Sequence, residues 1–211
     1  MDILYNNAGR NYTVPTLDIE ESEVHELFQA NVFSVMQMCK AFAPLLITAQ
    51  GVIVQTGSLA GVMPYVWGSA YNASKAALHA YSNTLRVELA PLGVRVVTII
   101  TGGVRSNIAR VHRELPKGSY FIPLQTVYES RLTHSQQLGM DTESYAKSCV
   151  RHVLKGDGWL VKQRWVWEGK MSWLVWFATS WLPPSIMDYY FTWKFKLSKL
   201  RGTAGGDKKR V

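Results

Sequence analysis

Residues 51–58 read Gly51-Val52-Ile53-Val54-Gln55-Thr56-Gly57-Ser58, and Tyr71-Asn72-Ala73-Ser74-Lys75 begins thirteen residues after that serine. A β-branched apolar run closed by glycine is the pattern of a buried strand, which places the Ser58 hydroxyl at the strand's carboxyl end. Open α/β sheets bind ligands at that end, and there the hydroxyl can hold a carbonyl oxygen. Tyr71 and Lys75, four apart, share one face of a helix, so an ammonium comes close to a phenol. A free phenol titrates near pH 10, and an adjacent cation favours its ionised form. Tyr71 is therefore expected to act as a general acid or base with a depressed pKa. Taken alone, the same spacing also fits an ordinary solvated helix face.

Outward from this centre, strand and helix patterns alternate. The apolar periodicity predicts strands over 2–6, 51–57 and 94–100, with helices over 21–48 and 70–90. Pro91-Leu92-Gly93 should end the second helix. Val94 to Ile100 is nearly continuous in β-branched residues, as a parallel strand covered on both faces requires. This alternation predicts right-handed βαβ units and a parallel sheet. The chain has 211 residues, 47% hydrophobic and 18% charged, enough for one sizeable core and too apolar for disorder. Cys39 and Cys149, far apart, form no disulfide framework and fit a reducing compartment. His25, His79, His112, His134 and His152 have no metal-ligand spacing and read as surface or core histidines.

Three further segments complete the pattern. Asn6-Asn7-Ala8-Gly9 closes the first strand, Asn31 lies in the amphipathic helical stretch, and Thr101-Gly102-Gly103-Val104-Arg105-Ser106 follows the third strand. With these in order, the chain resembles the short-chain dehydrogenase/reductase family. The resemblance implies a partial Rossmann-type doubly wound parallel sheet, NADP(H) as cofactor, and a small-molecule ketone or alcohol as substrate. Asn31, Ser58, Tyr71 and Lys75 match the family's catalytic tetrad. Ser58 would orient the substrate oxygen, Tyr71 exchange the proton, Lys75 lower the Tyr71 pKa and bind the nicotinamide ribose, and Asn31 hold a relay water. Asn7 matches the segment on the adenine and ribose side of the cofactor, and Val104 and Ser106 match positions near its carboxamide. Thr101 stands where the family commonly has proline. With Tyr145-Ala146-Lys147 and the stretch from Phe195 to Leu200, it makes the chain similar to fungal NADPH-dependent 1-acyldihydroxyacetone phosphate reductases. Relatives of that kind also act as tailoring reductases in secondary metabolism.

The family has three strands and a glycine-rich phosphate-binding turn before the strand that Met1-Asp2-Ile3-Leu4-Tyr5 already enters. The fold expected is therefore a sheet lacking its first βαβαβ half, with an exposed edge at Ile3-Leu4. An incomplete gene model, an inactive remnant serving as a pseudoenzyme or interaction protein, or a homo-oligomer that completes its own site would each account for this. The expected divisions are a catalytic domain over 1–156, an aromatic-rich helical extension over 157–200 and a basic tail over 201–211. Arg105, Arg110, Arg113 and Lys117 fall where the resemblance puts the substrate loop; they read either as a phosphate receptor or as solvated charges.

Seven of the eight tryptophans lie between Trp159 and Trp193. The apolar stretch from Met171 to Leu182 is far shorter than the roughly 20 residues that cross a bilayer. An interfacial helix fits it, broken by Pro183-Pro184 and continued by Tyr189-Tyr190-Phe191-Thr192-Trp193. Lys194, Lys196, Lys199, Arg201, Lys208, Lys209 and Arg210 would add attraction to anionic lipid. Packing of the aromatics on the core as a lid or dimer element, or a merely solvated tail, are the competing readings. The expected location is cytoplasmic, peripheral on the endoplasmic reticulum or a lipid droplet. A nucleic-acid partner is not expected, because the net charge of +8 is dispersed outside the tail and no binding module occurs.

Overall fold

The computed structural model describes residues 1–109, 113–155 and 165–201. Arg110, His112, Trp159, Lys208, Lys209, Arg210 and the side chain of His134 lie outside the described residues. Four parallel strands form one sheet in the order β1 (Ile3–Asn6), β2 (Val52–Thr56), β3 (Arg95–Thr101) and β4 (Trp165–Glu168). Helix α1 (Glu21–Phe28) runs through a π-turn over Gln29–Phe33 into α2 (Ser34–Ala49), and α3 (Ser69–Leu89) links β2 to β3. After β3 come α4 (Gln125–Leu138) and α5 (Thr142–Lys155), and after β4 come α6 (Ser172–Trp181) and α7 (Ser185–Lys194). The sequence pattern carried no strand at Trp165–Glu168. Its tryptophans alternate like any strand's but read as part of the aromatic extension; pairing with β3 decides the matter.

Each face of the sheet has its own apolar layer. Leu4, Ile53 and Val96 meet Val35, Cys39 and Leu46 of α2 and Leu78 of α3 on one side. Val52, Val54, Val97, Ile99 and Val166 meet Cys149 and Val153 of α5 on the other. Strands covered on both faces must be apolar at consecutive positions, which is why β2 and β3 show continuous rather than alternating hydrophobicity. β1 is the outer strand, and its Ile3 and Tyr5 are 42% and 39% exposed. Gly93, at φ +79°, closes the Pro91-Leu92 turn after α3 in a conformation that glycine adopts without strain. Both cysteines are buried and free, one in each layer.

Candidate active site

Gly57 follows β2 and delivers Ser58 to the carboxyl edge of the sheet. There Ser58 caps a short 3-10 turn, its Oγ accepting the Ala60 N–H at 3.1 Å. The Ser58 hydroxyl also hydrogen-bonds to Tyr71, which enters from the first turn of α3. Tyr71 packs beside Tyr12, Val14, Leu27 and Ala70. One turn further along α3, Lys75 is 4% exposed and its Nζ donates to the Thr56 carbonyl at 2.8 Å, 5.9 Å from the centroid of the Tyr71 ring. Ser58, Tyr71 and Lys75 are thus assembled at one strand end.

Burial pushes the Tyr71 phenol above its ordinary pKa; the Ser58 hydrogen bond and the positive charge of Arg131 oppose that rise without reversing it. The depression expected from Lys75 is therefore corrected. Desolvation of the phenolate outweighs the Arg131 charge, and the Lys75 ammonium is committed to a backbone carbonyl. Lys75 is itself pulled down to about 8 by burial, which penalises its charged form.

Asn31 is buried in the π-turn, where the Ser34 N–H reaches back to the Gln29 carbonyl. Such turns are rare and recur at functional sites. Its amide accepts from the Arg10 N–H at 2.8 Å and donates to the Arg10 carbonyl and to Ser74 Oγ, both at 3.0 Å. Ser74 Oγ donates in turn to the Tyr71 carbonyl. Asn31 thus ties the loop after β1 to the turn of α3 that bears Tyr71. Asn7 is exposed at the end of β1 and accepts from Thr56 Oγ1 at 3.4 Å. Val104, bridged to Met140, and exposed Ser106 follow β3. All the expected site residues therefore gather at the carboxyl edge or on the helices beside it.

Two functional neighbours escaped the sequence reading. His79 is buried one turn beyond Lys75, and its Nε2 accepts the Ser58 N–H at 3.1 Å. An accepting Nε2 puts the ring proton on Nδ1, which has no hydrogen-bond partner among the described residues. Burial first, then the Lys75 charge, lower its pKa to about 4, so the ring is neutral. Its signal was available: Tyr71, Lys75 and His79 repeat every four residues on one helix face. Arg131 of α4 had no local signal. The four cations expected to serve the substrate loop fare differently: Arg113 pairs with Glu23 at 2.7 Å and Arg105 with Asp141 at 3.9 Å.

Comparison with known proteins identifies the family. The family model described as short chain dehydrogenase matches residues 1–116. The chain is 40% identical to the short-chain dehydrogenase srdE of Neurospora crassa, over 95% of this chain and 69% of that protein. It is 39% identical to the NADPH-dependent 1-acyldihydroxyacetone phosphate reductase of Saccharomyces cerevisiae, over 95% of this chain and 67% of that protein. A short chain dehydrogenase of Burkholderia cenocepacia, solved in complex with NADP, superposes with a TM-score of 0.68 over 90% of this chain and 68% of its own, at 22% identity. Motif order, sheet topology and relatives converge, and the chain belongs to the short-chain dehydrogenase/reductase family of oxidoreductases.

Proposed function

We propose that this oxidoreductase reduces a ketone to an alcohol with NADPH, and that Tyr71 donates the proton. The observation that carries the proposal is the hydrogen-bonded Ser58–Tyr71 pair beside buried Lys75, with a phenol that burial keeps protonated. A protonated phenol suits reduction, in which the developing alkoxide needs a proton. Ser58, its oxygen already accepting from Ala60, would turn its hydroxyl proton from Tyr71 towards the substrate carbonyl. Lys75 stabilises the phenolate left behind. Asn31 spends both amide protons on Arg10 and Ser74, keeping one Oδ1 lone pair for a relay water.

When bound, NADPH supplies hydride for the carbonyl carbon. The residues fit its nicotinamide ribose end, because Lys75 has used one of three N–H donors on Thr56. Gly9 faces the ammonium, and a Cβ there would stand 3.7 Å from Nζ. Asn7, Val104 and Ser106 are assigned the adjoining contacts. The favoured substrate is a lipid-like ketone, such as 1-acyldihydroxyacetone phosphate or a secondary-metabolite intermediate. The similarity to the yeast reductase and to srdE supports that range.

Tyr71→Phe is expected to lower turnover by roughly 10²–10⁴-fold while NADPH affinity stays within a few-fold; undiminished turnover removes Tyr71 from the mechanism. A second reading is a non-catalytic family member. Titration of the 211-residue chain with NADPH, followed by tryptophan quenching, separates the two. Saturable micromolar binding supports the reductase, possessed of a complete site alone or through self-association; a folded chain that binds nothing supports the non-catalytic reading. Peripheral contact with the endoplasmic reticulum or a lipid droplet through the aromatic face of α6 and α7 belongs to the same proposal.

A further inference from the structure

Arg131 is 8% exposed, yet no carboxylate pairs with it among the described residues, and its Nε is buried without a hydrogen-bond partner. Its guanidinium stacks 3.7 Å over the ring of Tyr65, in the loop that runs from Ser58 to Tyr71. The cation lies close enough to Tyr71 to oppose the burial that raises the phenol's pKa, while burial in turn lowers that of Arg131, against which only phenols, and no carboxylate, act. Burial raises the Tyr71 and Tyr128 phenols, so neither offers an anion to this permanent positive charge. Leaving a buried charge uncompensated costs several kcal/mol, so an unpaired arginine is expected only where something else supplies the anion.

The neighbouring cations show the contrast. Arg10 is satisfied by Glu23 and Glu26, and Arg113 by Glu23 and the Tyr12 ring. Arg131 is also held still. Helix α4 is anchored by Leu124, Tyr128 and Leu132 in a cluster with Trp67, Phe191 and Phe195. Tyr128 Oη adds a hydrogen bond to the Thr13 carbonyl at 2.9 Å. A guanidinium fixed on an aromatic ring, with its fork free, is preorganised for a planar or tetrahedral oxyanion.

We infer that Arg131 receives an anionic group of the substrate, a phosphate monoester or a carboxylate, and so selects ketones that carry one. The inference rests on the reductase reading for the word substrate, but the anion site itself is independent of turnover. It transfers the phosphate-receiving role from the loop cations Arg105 and Arg113, which have carboxylate partners, to a residue on the helix behind them.

The test is binding of dihydroxyacetone phosphate and of uncharged dihydroxyacetone to the 211-residue chain by calorimetry, with inorganic phosphate as a third titrant. The phosphate ester should bind at least about 10-fold more tightly than the neutral ketone, and Arg131→Met should remove that preference, as loss of a charge-assisted pair predicts. Arg131→Lys should keep part of it. A 1-hexanoyl derivative of the phosphate ester, compared with the ester and with inorganic phosphate, distinguishes a lipid phosphate from the free ion. Equal affinity for charged and neutral ketones, or a preference that survives Arg131→Met in a protein with wild-type circular dichroism, overturns the inference. A chain that binds the ester through Arg131 yet reduces nothing fails the reductase reading alone.

Discussion

Ser58 is held from two directions: its oxygen by the Ala60 N–H, its own N–H by the ring of His79. The second contact requires a neutral imidazole, because a protonated ring has no lone pair to offer. Above pH 6.5, the ordinary value, His79 is neutral in both folded and unfolded chains. Between 6.5 and about 4 only the unfolded chain takes up the proton, so this contribution to stability is lost as pH falls through that window. The full loss is about 3 kcal/mol, from the 1.4 kcal/mol that each pKa unit represents. Urea unfolding at either end of the window should show the slope, and His79→Gln, which keeps an acceptor towards Ser58, should flatten it. An identical slope in the variant would place the proton uptake elsewhere.

Helix α3 carries Tyr71, Lys75 and His79 towards the sheet, and it can approach because glycine lies opposite the imidazole. A Cβ on Gly57 would stand 2.5 Å from His79 Nε2 and 2.9 Å from the Ile99 carbonyl; one on Gly61 would stand 2.6 Å from His79 Cε1. Neither position has a positive φ, so the requirement is for space rather than for backbone freedom. Gly57→Ala should therefore cost about 1–3 kcal/mol by overpacking and should disturb Ser58 as well. Thermal unfolding reads the first effect and kcat the second. Wild-type values for both would mean that the helix moves aside freely. The Tyr71–Lys75 half of this arrangement was legible as a helical spacing. The glycine half was not, since Gly57 reads as a strand terminator until α3 is seen against it.

Across the whole molecule, the aromatic C-terminal region divides into two populations. Phe191 and Phe195 are buried against Tyr65, Trp67 and Tyr128, so α7 and the residue after it pack on the loop between Ser58 and Tyr71. Trp173, Trp181, Tyr189 and Trp193 are at least 69% exposed, with Lys194, Lys196, Lys199 and Arg201 following the last of them. Removing the whole region would uncover the buried set, so the outer set has to be tested alone. Trp173→Ser, Trp181→Ser and Trp193→Ser together should reduce co-sedimentation with anionic liposomes several-fold and leave the unfolding midpoint nearly unchanged. Equal sedimentation of the variant and the wild type would remove the membrane contact. Packing on the core and an exposed aromatic face, set against each other by the sequence, describe opposite sides of the same helices.

The sequence by itself determined the alternation of strands and helices, the strand end that presents Ser58, and the helix face that joins Tyr71 to Lys75. Those follow from continuous β-branched runs, a repeat of 3.6 residues and local turn chemistry, which need no knowledge of distant neighbours. Only the tertiary structure decided that Trp165–Glu168 is a strand, that the Tyr71 phenol rests above its ordinary pKa, and that buried Arg131 has no carboxylate partner among the described residues. Strand pairing, desolvation and charge compensation each depend on residues brought together from far along the chain, and spacing within one segment carries no record of them.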